Sequence, residues 1–282
     1  EYRVDVDIEH IVFGPMGPIV EEPDTGLPVA AEPLPKTEPI QMLEALDESS
    51  SPEEWPEWIR SVSMLSSEEL VADDGELPDE EKIAFNVSKA AQNHNIIIVK
   101  VDHWNIHTSD GDELQQNINR YATLMRLVND AAGDDAQVGL YSIVPMRDFW
   151  TPIEGSMMDL FKWRERNEKF TAITENVDII FPALLTFYHD QASWRKYARA
   201  NIQEAQRYGK PVMPFLMPTF HPATEMSGQP LPGDFMQMQM ELVGAYCGGA
   251  VIWSDTDILW SETSGWWKAV KRFGIIKGLS EE

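Results

Sequence analysis

The stretch of this sequence best equipped for chemistry is an apolar run that ends in a carboxylate, an imidazole and an indole. The run covers residues 95–104, Asn-Ile-Ile-Ile-Val-Lys-Val-Asp-His-Trp. Consecutive β-branched residues without polar alternation predict a strand that is buried on both faces, as strands of parallel sheets are. Parallel barrels place their functional groups at the carboxyl ends of their strands, so Asp102, His103 and Trp104 would stand at such a site.

Polar and aromatic residues also follow the other predicted strands. They are Tyr141, Tyr188, His189, Asp190, Thr219, His221, Trp253, Asp255 and Asp257. In a parallel barrel these groups would converge on one face, although they lie far apart in the sequence. Carboxylates beside aromatic platforms suit the hydrolysis of glycosidic bonds, which needs a proton donor, a second carboxylate and flat surfaces for sugar rings.

Two aspartates are the predicted catalytic pair. Asp102 is the predicted general acid, because burial beside an indole would disfavour its charged form. Asp255 is the predicted partner carboxylate. Eight further residues are predicted to bind the sugar: His103, Trp104, Tyr141, Tyr188, His189, Asp190, His221 and Trp253.

Plainer alternatives exist for several of these residues. Asp102 could form a structural ion pair with Lys100 or an arginine, and Asp190 and Asp255 could cap the helices that follow them. Among the histidines at the strand ends, only His103 and His107 have the i, i+4 spacing of a helical zinc motif, and they straddle a strand end. We therefore expect histidines that hydrogen-bond to a sugar, with no metal and, because no glycine-rich phosphate loop is present, no nucleotide or other cofactor.

The elements that must position these groups alternate between strand and helix. The predicted strands are residues 59–65, 96–102, 137–144, 177–185, 211–217 and 249–254, and the predicted helices are residues 78–94, 112–132, 157–175, 191–208, 232–246 and 264–273. Six strands, each followed by a helix, predict an α/β fold, a parallel (β/α)7-8 TIM-like barrel, in which the N-terminal segment supplies the first strand. A doubly wound open sheet is the alternative.

The predicted domain boundary separates an N-terminal strand and Pro/Gly-rich wrap, residues 1–57, from the barrel, residues 58–282. Residues 2–9 alternate apolar and charged side chains, which predicts a strand with one solvent-exposed face. Residues 14–56 contain nine prolines, and we expect irregular chain there because proline removes backbone donors and restricts the residue before it.

Composition excludes several classes of partner. The 47 acidic and 22 basic residues give a formal net charge of −25, which repels nucleic acid. No run approaches the roughly 18 to 20 apolar residues that a membrane span requires. Cys247 is the only cysteine, which rules out an intrachain disulfide. We expect a secreted or periplasmic protein whose export signal has been removed.

Residues 95–255 resemble the hyaluronidase-type glycoside hydrolases and related (β/α)-barrel glycosidases. The motifs that carry the resemblance are Val101-Asp102-His103-Trp104, Tyr188 after Phe181-Pro182-Ala183, Pro211-Val212-Met213-Pro214-Phe215, and Gly248-Gly249-Ala250-Val251-Ile252-Trp253. The third strand of that family ends in Asp-x-Glu-x-Trp, and its last strand carries a tryptophan after a glycine-rich lead. The resemblance implies that Asp102 is the acid, that Tyr188 helps to position the sugar and that Trp253 lines the pocket.

The chain departs from this family pattern at two positions. Lys100 stands where the family has the aspartate that orients an N-acetyl group, and Asp102 stands where it has the catalytic glutamate. An ordinary two-carboxylate mechanism and a loss of activity therefore both remain open.

These observations together predict an endo-acting O-glycosidase that cleaves a neutral or weakly charged polysaccharide, since a polyanion such as hyaluronan would meet a strongly acidic protein. The alternatives are a non-catalytic carbohydrate-binding barrel, which the loss of the family aspartate at Lys100 favours, and a metal-assisted polysaccharide-degrading enzyme that uses the histidines.

Overall fold

The strands of this protein are parallel and short. A computed structural model describes residues 40–46, 51–52, 54–254 and 260–280, all within a compact unit that spans Pro33–Glu282. The strands in these ranges are β1 (Gln41–Ala45), β2 (Ile59–Ser61), β3 (Ser63–Ser66), β4 (Ile96–Lys100), β5 (Gln137–Tyr141), β6 (Ile179–Phe181), β7 (Phe215–Leu216) and β8 (Gly249–Trp253). The predicted strand within residues 2–9 lies outside the described residues.

Strand pairing closes these strands into a barrel. One set of pairs runs in the order β2-β1-β8-β7 and another in the order β3-β4-β5-β6, all parallel. Only Val62 separates β2 from β3, and its N–H donates to the Glu44 carbonyl at 3.3 Å. Parallel bridges from Ile180 to Val212 and from Ala183 to Phe215 join β6 to β7. The predicted parallel (β/α) barrel is therefore confirmed, with β2 and β3 forming one bent strand in a ring of seven.

Helices follow the strands and cover the outside of the barrel. The described helices are α1 (Ser67–Leu70), α2 (Glu80–Ala91), α3 (Gly111–Ala132), α4 (Thr151–Glu154), α5 (Met157–Glu168), α6 (Thr171–Thr174), α7 (Gln191–Gln206), α8 (Gly233–Tyr246) and α9 (Gly265–Ile276). Aspartates begin three of the long helices, as Asp79, Asp110 and Asp190 accept backbone N–H groups of the first turn. No helix in the described ranges is both long enough and apolar enough to cross a membrane.

Alternation along β4 divides the apolar residues between two cores. Ile96 and Ile98 pack inside the barrel, whereas Ile97 and Val99 pack outward against the helices. Both sets are fully buried, which explains the unbroken apolar run in the sequence. The same alternation sends the side chain of Lys100 toward the interior.

Two local predictions differ from the structure. β1 lies within the Pro/Gly-rich stretch for which irregular chain is predicted, and it pairs with β2 and β8. Strand pairing also covers only Phe215–Leu216 of the predicted strand 211–217, because Pro211, Pro214 and Pro218 interrupt the ladder.

Candidate active site at the mouth of the barrel

Three aromatic residues and a lysine lie at the carboxyl ends of the strands, at the end of the barrel that we call the mouth: Lys100, Tyr141, Phe187 and Trp253. The Tyr141 ring lies 5.2 Å from the Trp253 ring and 4.7 Å from the Phe215 ring, centroid to centroid. The Lys100 ammonium lies 5.0 Å from the centre of the Trp253 ring. Trp253 is only 6% exposed, so its ring belongs to the inner core at this end of the barrel.

Asp102 stands at the rim of the mouth, two residues beyond Lys100. Its side chain is 86% exposed, and its Oδ1 lies 4.0 Å from Nδ1 of His103. The burial that the sequence predicts for this carboxyl is therefore wrong, because the chain leaves the sheet after β4 and carries Asp102 into solvent. Lys100 and the arginines of the described ranges form no ion pair with Asp102, so the structural pairing considered above is not found there.

Trp104 is placed away from the mouth, which corrects its prediction as a sugar platform. It is 4% exposed and belongs to the outer core, between the barrel and its helices. Its indole N–H donates to the Gly75 carbonyl at 3.0 Å, and its ring packs edge-on against Tyr121 at 5.0 Å. The indole is thus enclosed by protein, and Trp104 anchors the loop that carries Asp102.

Tyr121 of α3 fixes the same loop through its hydroxyl group. Its hydroxyl lies 3.0 Å from the Val101 carbonyl and 3.2 Å from the Trp104 carbonyl, to which it donates. Burial raises the pKa of Tyr121 far above its usual value, and the nearby Asp102 carboxylate raises it further. The hydroxyl therefore stays protonated and fixes the backbone on both sides of Asp102.

The loop between β6 and α7 carries Tyr188, which packs against the outer core. Tyr188 is half-buried, and its pKa is raised by burial and by the carboxylates of Asp148 and Glu154. Burial also raises the pKa of Tyr197, whose ring lies 6.0 Å from the Tyr188 ring and whose hydroxyl donates to the Ala183 carbonyl at 2.7 Å.

Asp190 and His189, predicted to bind the sugar, have protein partners. The Asp190 side chain accepts the Ser193 backbone N–H at 2.7 Å, so Asp190 is the N-cap of α7. This confirms the capping alternative and accounts for Asp190 without a sugar. The His189 ring lies edge-on to the Phe220 ring at 5.7 Å.

His221 joins a column of three rings at the mouth. Phe187 stacks on Phe149 at 4.7 Å and lies 4.1 Å from the His221 ring, while the Arg147 guanidinium lies 5.3 Å from the Phe187 ring centre. Nδ1 of His221 accepts the Ala223 backbone N–H at 3.1 Å, so Nε2 carries the proton in the neutral imidazole. The sequence analysis missed Phe187, Phe149 and Arg147. The only available signal was the position of Phe187, directly before Tyr188.

Backbone strain marks the end of β5. Ser142 follows Tyr141 and has φ 59°, a left-handed backbone conformation that residues other than glycine seldom adopt. Its N–H donates to the Phe181 carbonyl at 3.0 Å, which ties the strained residue to β6. Such strain clusters at functional sites, and here it lies at the mouth.

Two further sequence predictions concern the partner carboxylate and metal ligands. Asp255 lies outside the described residues, as does Asp257. Within the ranges described, no three histidine, cysteine, aspartate or glutamate side chains are grouped so that they could hold a metal ion. Desolvation by the surrounding protein and the charges of Arg147 and Arg166 lower the pKa of His107.

A cavity of about 560 Å³ lies at the other end of the barrel. Its lining comes from β2 and from the loops that lead into β4 and β5: Ile59, Arg60, Ser61, Ala91, Gln92, Asn93, His94, Asn95 and Asp135. Barrel enzymes place their chemistry at the carboxyl ends of the strands, and the amino ends serve stability. The candidate site is therefore the mouth.

Solved structures share the architecture of this chain. Bee venom hyaluronidase has a TM-score of 0.52 and 11% sequence identity over 78% of this chain and 86% of its own. The same enzyme in complex with a hyaluronic acid tetramer has a TM-score of 0.53 and 11% identity over 76% of this chain and 84% of its own. An endo-β-1,3-glucanase from Amycolatopsis mediterranei has a TM-score of 0.49 and 11% identity over 83% of this chain and 99% of its own.

The sequence comparisons found no match, whereas the structural comparison did. No family model and no curated protein matches this chain. The likeness to bee venom hyaluronidase, at 11% identity, shows a shared fold. The resemblance inferred from short motifs at the strand ends is thus confirmed at the level of the barrel.

Proposed function

We propose that this protein is a glycoside hydrolase that cleaves internal bonds of a neutral or weakly charged polysaccharide. The observation that carries the proposal is the placement of the strand ends: the exposed Asp102 carboxylate follows β4 at the same end of the parallel barrel as Tyr141 and Trp253, the last residues of β5 and β8. Aromatic rings bind the apolar faces of sugars, and a carboxyl group protonates the leaving oxygen.

Asp102 is the proposed proton donor. A carboxyl that is 86% exposed in the free protein can reach a polymer laid across the mouth. A bound sugar would then remove water from this carboxyl and favour its protonated form, as donation requires. Tyr121 and Trp104 hold the loop of Asp102 in place through hydrogen bonds to backbone carbonyls.

Asp255, two residues beyond Trp253, is the proposed partner carboxylate. Its distance from Asp102 decides the stereochemistry of cleavage. A separation of about 5 Å predicts retention through a covalent intermediate, and one of roughly 6.5 to 9.5 Å predicts inversion through a bound water.

The proposed substrate class follows from the fold and from the net charge of the chain. Bee venom hyaluronidase, which shares the fold, has been solved with a hyaluronic acid tetramer, so a polysaccharide binds to that protein. The net charge of −25 disfavours a polymer with an anion on every second sugar. Polymers of this kind are found outside the cell, and we propose a secreted or periplasmic location.

Replacement of Asp102 by asparagine tests the proposal. Release of reducing ends from a panel of neutral and weakly charged polysaccharides should fall by a factor of about 10² to 10⁴, while binding persists. Asp112, an exposed aspartate in the first turn of α3, provides the matched control, and Asp112→Asn should leave the rate unchanged. Turnover by Asp102→Asn at the parental rate would contradict the assignment.

A non-catalytic carbohydrate-binding barrel is the second candidate. The observation that favours it is Lys100, a cation at the mouth where a carboxylate would serve catalysis. Binding on a glycan array, followed by analysis of the same ligands for cleavage products, separates the two functions. Binding without products from any ligand would favour the second candidate.

A further inference from the structure

Lys100 is a cation built into the base of the mouth. It is the last residue of β4, and it continues the interior column of Ile96 and Ile98. Its side chain is half-buried, and its Nζ lies 5.0 Å from the centre of the Trp253 ring. An ammonium in this position is partly removed from water while its neighbour is an aromatic ring.

Several other cations of the described chain have carboxylate or carbonyl partners. Lys82 pairs with Asp73 at 2.6 Å, and Arg207 pairs with Glu204 at 2.7 Å. Arg166 donates to the Ile106 carbonyl at 2.8 Å. Lys100 takes part in none of the ion pairs found among the described residues, which are those of Lys82, His103, Arg120, Arg126, Arg164, Arg207 and Lys271.

The chemistry of an ammonium limits what it can recognise. It has three donors and no acceptor, so it binds groups that accept hydrogen bonds, and anions best. Contact with the Trp253 ring engages one side of the ammonium and leaves donors for a ligand. A sugar bound at the mouth would bring its substituents within reach of Lys100, which is partly exposed there.

We infer that Lys100 is a specificity-determining residue that binds an anionic substituent, a carboxylate or a sulfate ester, on a sugar bound at the mouth. The inference rests on the proposed function, and it narrows the substrate class to a mostly neutral polysaccharide that carries occasional acidic groups.

The acidity of the whole chain agrees with an occasional rather than a repeated anion. At physiological ionic strength charges farther apart than about 8 Å are largely screened, so one anion in contact with Lys100 gains the local attraction. A polymer with an anion on each sugar instead places many charges along an acidic surface. The net charge of −25 therefore selects against dense charge while Lys100 selects for a single one.

Matched polymers test this inference. The probes are glucuronoxylan with its carboxyl-reduced form and a sparsely sulfated galactan with its desulfated form, and the measurement is the dissociation constant for the full chain. We expect at least one acidic form to bind about tenfold more tightly than its neutral counterpart. Lys100→Met should abolish this preference by lowering the affinity for the acidic form to about that for the neutral form, whereas Lys100→Arg should retain it.

Controls separate this inference from the proposed function. Lys89→Met removes an exposed lysine in the last turn of α2 and should leave every dissociation constant unchanged. A thermal melt of each variant verifies folding. Equal affinity for the acidic and neutral forms, or a preference that survives Lys100→Met, overturns the inference even if the polymers are cleaved. Absence of binding and cleavage for all four polymers overturns the inference for these anions, and failure on the wider polysaccharide panel overturns the proposed function.

Discussion

Removal of the Tyr121 hydroxyl should loosen the loop that carries Asp102. The hydroxyl has one proton, which the Val101 and Trp104 carbonyls share at 3.0 and 3.2 Å. In Tyr121→Phe these carbonyls lose their donor at a site where Tyr121 is fully buried. A buried acceptor without a partner costs about 1–3 kcal/mol, and the void left by one oxygen adds little, so the free energy of unfolding should fall by about 2 kcal/mol.

The effect of Tyr121→Phe on activity follows from the position of the two carbonyls. The two carbonyls flank Asp102, so the loop gains freedom at the residue that donates the proton. A displacement of the order of 1 Å can reduce a rate by about 10²-fold, and partial loosening should lower kcat about tenfold with a smaller change in KM.

Tyr208→Phe is the matched control. Its hydroxyl donates to the Asn167 carbonyl at 2.7 Å, in a contact that follows α7 and lies away from the Asp102 loop. This variant should lose about 1 kcal/mol of stability and keep its kcat. Urea unfolding and initial rates of reducing-end release measure both quantities. Unchanged stability of Tyr121→Phe, or an equal loss of kcat in Tyr208→Phe, would refute the reasoning.

Two further variants probe buried and capping carboxylates. Burial raises the pKa of the Glu44 carboxyl, and the backbone hydrogen bond from Leu46 opposes this shift. The stability that Glu44 contributes is therefore fully present below the pKa of the unfolded state and is lost as pH rises through the pKa of the folded state. Glu44→Gln should therefore melt a few degrees above the parent at pH 7 and equal it near pH 4; a difference independent of pH in thermal melts would contradict this. Asp190→Ala should lose about 1 kcal/mol in urea unfolding, because Ser193 loses its cap acceptor, with substrate affinity unchanged. Full stability with lost affinity would return Asp190 to the sugar site.

The barrel could be predicted because the sequence pattern indicates most of its strands and helices. Ile96 to Val99 are apolar on both faces, and caps such as Asp110 and Asp190 mark where helices begin. The sequence predicts that the N-terminal segment supplies the first strand, but it does not predict the position of β1, because its five residues lie in a proline-rich stretch, where pairing with β2 and β8 stabilises the strand.

The site was harder to predict than the fold, because side-chain direction beyond a strand end depends on tertiary contacts. Alternation places Lys100 inward, but the chain leaves the sheet there, and Trp104 turns to the outer core to reach the Gly75 carbonyl. Phe187 is apolar and gives no polar signal in the sequence, although it contributes a ring at the mouth. The strained backbone of Ser142 is hydrogen-bonded to β6, and no local sequence pattern predicts this tertiary contact.

The most direct test of the central claim is a crystal structure of the Asp102→Asn variant with a bound oligosaccharide from a polymer that the parent protein cleaves. We expect a sugar ring at the mouth, near Tyr141 and Lys100, and a glycosidic oxygen within hydrogen-bond distance of the residue 102 side chain. A sugar bound at the opposite end of the barrel, or one in the mouth whose glycosidic oxygens all lie beyond reach of residue 102, would contradict it.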